Sequence, residues 1–249
     1  LLACPDCRDP LSVGADWIRC EGCDARYSVE DGIALLALRG GSETWGAPQE
    51  VGQGTAYQDE FQDLEPAAAY NLQFRRRPLK LGVTPRESLL IRRFMRRVGH
   101  SQAILEIPCG GGRLTHAFAD ATDLVIEADI AVGQVRYGRQ ASKLDVPRVW
   151  MTASAFHIPL HDGSVDGAVC VRLSHHLPTQ AERDRLFSEL LRVSRRFAIV
   201  TYFDRHSLKH LTWRLRHPFS RKARKPALTS AEIAALAHAN GARLVATAP

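Results

Sequence analysis

Past residue 100 the chain alternates short apolar runs with stretches whose apolar positions recur every three or four residues. That alternation predicts a parallel sheet covered by helices on both faces. Strands are expected over 103–107, 124–128, 149–154, 165–171 and 197–203, with 243–247 as a sixth. The clearest helix runs over 179–194: Thr179 with Glu182 is a capping box, and Leu186, Phe187, Leu190 and Leu191 share one face. A last helix opens with Thr229 and Glu232, carries a Leu228/Ile233 staple and stops at Gly241. Ahead of the sheet, Thr84-Pro85-Arg86-Glu87 reads as an N-cap, a proline at the first helical position and a capping glutamate. Leu90, Ile91, Phe94, Met95 and Val98 then oppose Arg92, Arg93, Arg96 and Arg97, and Gly99 ends the helix. After Gly110-Gly111-Gly112, the spacing of Leu114, Ala117 and Phe118 predicts a further helix.

The first forty residues follow neither pattern. Trp17, Ile18, Tyr27, Val29, Ile33, Leu35 and Leu36 are too few to form an independent core. The pairs Cys4/Cys7 and Cys20/Cys23 supply what the core lacks. Each C-x-x-C turn can aim two thiolates at one point, the excursion between them suits a hairpin, and four sulfurs complete a tetrahedron around Zn²⁺. Metal binding then becomes folding energy. A closed four-sulfur site leaves no open coordination position, so the zinc is expected to be structural. Residues 40–54, rich in Gly, Ser, Pro and Gln, read as a linker, and Tyr57, Phe61, Leu64, Tyr70, Leu72 and Phe74 mark helical pieces packed on the next domain. Packing is the expected role of those aromatics; closure of Tyr57 or Tyr70 over a ligand is the alternative. The resulting division is 1–39, a zinc ribbon; 40–83, a linker and helical extension; and 84–249, an α/β domain.

Composition narrows the partners. The 249 residues carry a net charge of +6 with a pI near 9.2, concentrated at 75–77 and 221–225, which favours anionic partners. No apolar run approaches a membrane span. Paired cysteines without a secretion signal fit a reducing compartment, and a cytoplasmic location is expected.

The chemistry concentrates where the first sheet strand meets the glycines. Glycine lets backbone approach a ligand that a Cβ would exclude, and the turn offers free N–H groups. Asp129, at the end of the second strand, is placed to accept both hydroxyls of a ribose. His175 and His176 fall just past the fourth strand, at the carboxyl edge where ligands of open α/β sheets collect. One could serve as general base; a packed helix-entry role is the other reading. Tyr202 and Asp204 are weaker candidates, and Cys109 and Cys170 read as buried small residues. The segment 204–227 interleaves Arg205, Lys209, Arg214, Arg216, Arg221, Lys222, Arg224 and Lys225 with Leu208, Leu211, Trp213, Leu215 and Phe219. It could grip phosphates while Trp213 stacks on a base, or lie on an anionic membrane.

Two resemblances sharpen this picture. Residues 4–38, through Cys-Pro-x-Cys, Pro10-Leu11, Cys20-x-x-Cys23, Tyr27-Ser28-Val29 and Asp31-Gly32-Ile33, resemble the zinc-ribbon activators of transfer-RNA, ribosomal-RNA and release-factor methyltransferases. That resemblance implies a module docking on a methyltransferase fold. From Arg86 onward the chain resembles class I S-adenosylmethionine-dependent methyltransferases of the type 11 kind, with a Rossmann-like three-layer α/β sandwich. The resemblance rests on 106–112, Asp129, 154–160, and the 162–166 and 173–178 stretches. It implies that Glu106 organises the turn and the methionine amine, that Gly110 and Gly112 admit the cofactor backbone-close, that Asp129 binds ribose, and that Ser154 and Ala155 border the adenine. Pro108 stands where the family often has glycine, Ser154 replaces the usual aspartate, and no seventh strand follows the sixth. The expected activity is methyl transfer to RNA. A small-molecule or lipid-linked acceptor is the alternative, a non-catalytic scaffold a third reading, and a protein partner through the ribbon is also possible.

Overall fold

The computed structural model describes residues 1–37, 54–207 and 226–248. The ribbon is an antiparallel meander of β1 (Leu11–Val13), β2 (Trp17–Cys20), β3 (Arg26–Glu30) and β4 (Ile33–Leu35). Its β3–β4 turn is Asp31-Gly32, both at positive φ (49° and 69°), the two-residue turn that matches strand twist. Then come α1 (Gly54–Glu60), α2 (Leu64–Arg76), α3 (Pro78–Leu81) and α4 (Val83–Val98). The sheet continues with β5 (Ser101–Glu106), β6 (Thr122–Asp129), α5 (Val132–Ala141), β7 (Arg148–Thr152), β8 (Val165–Cys170), α6 (Gln180–Val193) and β9 (Ser194–Val200). Helix α7 (Ser230–Ala239) follows.

The nine strands among the described residues form one sheet, ordered β1-β2-β3-β4-β7-β6-β5-β8-β9. From β4 to β9 every pairing is parallel, and β4 pairs with β7 from Ile33↔Trp150 to Leu35↔Thr152. The ribbon therefore covers the β7 edge with a strand of its own, leaving no open ladder there. Its residues Cys4, Ile18, Cys20, Tyr27 and Leu36 share one core with Leu105, Ile126, Met151, Ile158, Leu160, Leu186 and Leu190. Trp17, by contrast, is half exposed.

Thr179 and Thr229 both close complete capping boxes, with Glu182 and Glu232. Three expectations need correction. No capping box forms at Thr84: α4 starts at Val83 after Gly82, because Arg113 and Arg172 take both oxygens of the Glu87 carboxylate and Thr84 Oγ1 accepts from Arg113. The segment after the glycines is two short 3-10 turns (Thr115–Ala117 and Ala119–Ala121), shaped by a Thr115-to-Glu106 hydrogen bond, not a full α-helix. Residues 242–248 form no strand; Leu244 packs instead on the cluster of Phe187, Leu228, Ile233 and Leu236. Among the described residues no helix is long and apolar enough to cross a membrane.

Candidate active site and metal centre

The four cysteine sulfurs lie within 4.8 Å of one another, with Cys4–Cys23 at 3.7 Å and Cys7–Cys20 at 3.3 Å. A zinc tetrahedron with Zn–S near 2.3 Å has edges of about 3.8 Å, so the set can hold one structural zinc. Backbone N–H groups of Gly22 and Cys23 both point at Cys20 Sγ at 3.4 Å, as donors to a thiolate do. The residue after each pair, Arg8 and Asp24, takes positive φ (70° and 59°) and turns the chain away from the sulfurs. No disulfide forms among the described residues.

Arg8 ties this cysteine turn to the α/β domain. Its Nη1 donates to Ile158 O at 2.6 Å and its Nη2 to both Glu189 oxygens at 3.0 Å, while Glu189 accepts Ile158 N–H at 2.8 Å. Arg192 adds bonds to Ile158 O and Leu160 O, and Ala3 N–H donates to Pro159 O. The loop 154–160, which holds Ser154 and Ala155, is thus gripped from the ribbon and from α6 together.

The glycine turn sits at the carboxyl ends of β5 and β6. Gly110, Gly111 and Gly112 all adopt positive φ (52°, 90° and 69°). A Cβ on Gly112 would meet the Glu127 carboxylate at 2.8 Å, whereas one on Gly110 would meet nothing within 4 Å, so the turn opens to space beside Gly110. The Ile107–Pro108 peptide is cis. Asp129 accepts Gly110 N–H at 2.9 Å and Ala131 N–H at 3.1 Å. It is fully buried, and burial lifts its pKa to about 6 against those two bonds. Glu106, also buried, accepts the Thr115 hydroxyl at 2.6 Å; burial first and the Glu127 charge second hold it well above the usual range. Glu127 is raised to about 7 by burial, against the pull of Arg148 at 3.7 Å.

Helices α1 and α2 roof this cradle. Tyr57, Phe61, Tyr70 and Phe74 form a ladder with ring centroids 4.8, 5.2 and 5.6 Å apart, and the Asp129 charge acts on both tyrosines, whose pKa values burial raises. Gly133 N–H, at the start of α5, donates to Phe61 O at 3.0 Å. At the seam, Asn71 Nδ2 donates to Gln134 Oε1 at 2.8 Å, which leaves Asn71 Oδ1 and Gln134 Nε2 buried without hydrogen bonds. An unused acceptor and donor beside an open glycine turn, with a carboxylate one strand over, suit a nucleoside ligand with a polar tail. Asn71 and Gln134 escape a sequence reading because only the α2–α5 contact brings them together.

On the other side of the cradle, Arg172 stands two residues beyond β8 at φ 66°, with its N–H on Thr201 Oγ1 at 2.8 Å. Ser174–His176 is a 3-10 turn, its Ser174 hydroxyl donating to Thr201 O at 2.6 Å. His175 is buried and stacked on Phe203 at 4.1 Å, and His176 is exposed with its ring 4.4 Å from His175. Asp204 pairs with Leu228, and Arg205 N–H donates to Leu228 O at 2.9 Å, so the two ends of the basic segment meet there. Its residues 208–225 lie outside the described residues, as does the linker over 40–53. Cys109 and Cys170 are buried, and burial raises both thiols, Cys170 to about 12.

Residues 105–200 match the family described as "Methyltransferase domain", of the type 11 kind. No curated protein matches the sequence. The magnesium protoporphyrin IX methyltransferase of Synechocystis superposes with bound S-adenosylhomocysteine at a TM-score of 0.61, with 18% identity, over 75% of this chain and 88% of that one. Its form with bound S-adenosylmethionine gives 0.56 at 18% identity, over 80% and 88%. A Haloferax volcanii complex of the Trm112 methyltransferase activator with a candidate methyltransferase gives 0.52 at 17% identity, over 74% and 75%. At such identities these likenesses speak for the fold, and the family match speaks for the chemistry. Residues 105–200 are a methyltransferase domain, set in the Rossmann-like fold of S-adenosylmethionine-dependent methyltransferases and joined edge-on to a four-cysteine ribbon.

Proposed function

We propose that this methyltransferase modifies an anionic acceptor, and that RNA is that acceptor. The observation that carries the reading is the placement of positive charge: in a chain of net charge +6, Lys80, Arg113 and Arg172 gather around Phe74 at the carboxyl edge of the sheet. When bound, S-adenosylmethionine supplies a methyl group already activated on a sulfonium, so the protein's task is to align a nucleophile and exclude water. Asp129 would hold the ribose hydroxyls, Ser154 and Ala155 the adenine side, and Gly110 with Gly112 the close backbone approach. Asn71 Oδ1, Gln134 Nε2 and Glu106 would serve the polar tail. His176, exposed at the acceptor side, takes the proton of the nucleophile, and His175, clamped on Phe203, orients it. The four thiolates hold the ribbon together around zinc.

A small-molecule acceptor is the second reading. The α1–α2 roof favours it, because the aromatic ladder of Tyr57, Phe61, Tyr70 and Phe74 covers the site and so suits a compact guest better than a polymer. Labelled methyl transfer into fractionated cell extract separates the two. Nuclease treatment should abolish incorporation if RNA is the acceptor; label persisting in a nuclease-treated, low-mass fraction would transfer the assignment to the small molecule. Within either reading, Asp129→Ala should cost S-adenosylhomocysteine about 2 kcal/mol of affinity by calorimetry. His176→Ala should lower kcat while leaving cofactor affinity in place.

A further inference from the structure

Three cations crowd one aromatic ring at the carboxyl edge of the sheet. Arg113 Cζ, Lys80 Nζ and Arg172 Cζ lie 4.3, 5.1 and 5.2 Å from the centroid of Phe74, which is itself buried. One carboxylate serves them: Glu87 meets Arg113 Nη2 and Arg172 Nε, each at 2.8 Å. Glu106, the next acid within electrostatic reach of Arg113, is sealed in the cradle and held toward its neutral form by burial. The group therefore carries an excess of positive charge in a partly desolvated place. Lys80 registers it, its pKa being drawn down by burial and then by Arg77 and Arg172.

Arg172 is the member turned outward. Its Nε is spent on Glu87, its side chain is 35% exposed, and its two Nη groups make no hydrogen bond among the described residues. A guanidinium with one edge anchored and the other free presents the planar fork that binds an oxyanion bidentately. Its backbone stands at φ 66°, a region L-residues other than Asn and Asp seldom occupy and one that collects at ligand sites. It follows β8, on the histidine side of the glycine turn and away from Asp129, which places it with the acceptor.

We propose that Arg172, backed by Arg113 and Lys80, seats a phosphate or carboxylate group of the methyl acceptor. The proposal rests on the methyltransferase reading for its direction, and its test keeps the two apart. Zinc-loaded full-length protein saturated with S-adenosylhomocysteine is titrated with pyrophosphate and, separately, with glutarate. The unaltered protein should bind one of them, and Arg172→Gln should weaken that binding about tenfold, the loss of one charge-assisted fork. Arg172→Lys should fall between, Lys80→Gln should show a smaller loss, and the exposed helix residue Arg96→Gln should show none. Preference for pyrophosphate assigns a phosphoester acceptor and preference for glutarate a carboxylic acid; both support the seat. Equal anion affinity in Arg172→Gln and unaltered protein overturns it. So does a fall in S-adenosylhomocysteine affinity in Arg172→Gln that 5′-methylthioadenosine does not share, because the fork would then belong to the donor's carboxylate. The anion titrations are repeated without S-adenosylhomocysteine, so failure of the cofactor to bind counts against the cofactor cradle and leaves the seat to be judged on its own.

Discussion

Glu106 and Glu127 sit in the same buried layer beneath the glycine turn, and each disfavours ionisation of the other. A carboxyl raised in the folded state binds its proton more tightly there than in the unfolded chain. Its contribution is full below the unfolded value and is lost as pH rises through the folded one. For Glu127 that window runs from 4.5 to about 7. Stability should fall by up to about 1.4 kcal/mol per pH unit from this group across the window. Glu127→Gln should flatten the slope in denaturant melts between pH 4.5 and about 7, and an unchanged slope would place the proton elsewhere. Glu106 and Asp129 were legible in the sequence because each ends a strand in a recognisable pattern. Arg172 was not. Its φ of 66° and its contact with Glu87 come from chain segments 85 residues apart, and no local pattern marks them.

At the scale of elements, local rules succeeded where no distant partner competed. The Thr179 and Thr229 capping boxes formed as read, and Thr179→Ala should destabilise by about 1 kcal/mol in thermal or chemical melts. At Thr84 the same signature failed, since two arginines from beyond the glycine turn outbid the helix terminus for Glu87. Helix α5 carried no strong cap and was not singled out in the sequence; it packs on α2, as the Asn71-to-Gln134 bond shows. The loop 154–160 stood out in the sequence through its resemblance to a family segment, but its grip by Arg8 depends on the ribbon's docking. Arg8→Ala should therefore loosen the Ile158 backbone and raise the S-adenosylhomocysteine dissociation constant several-fold, with the ribbon still folded. Unchanged affinity alongside faster amide exchange at Ile158 would show that the loop does not limit binding.

Across the whole molecule, a parallel sheet covered by helices and the presence of a four-cysteine ribbon were both readable from the sequence pattern, whereas the order of the strands was not. Nor was the join between sheet and ribbon. Nothing in Ile33-Ala34-Leu35 announces which strand it will pair with, and only the open flank of β7 decides it. The same join gives the protein a single mechanical frame, and that has a consequence for how it melts. If the hydrogen-bonded ladder runs unbroken from the metal knuckles to the histidine edge, heat should disassemble it in one step, and the temperature of that step should track the supply of free zinc. Each tenfold rise above the dissociation constant should add about 1.4 kcal/mol. Calorimetry that instead resolved two endotherms, with only the smaller one moving with zinc, would show that the two halves are neighbours and not one body.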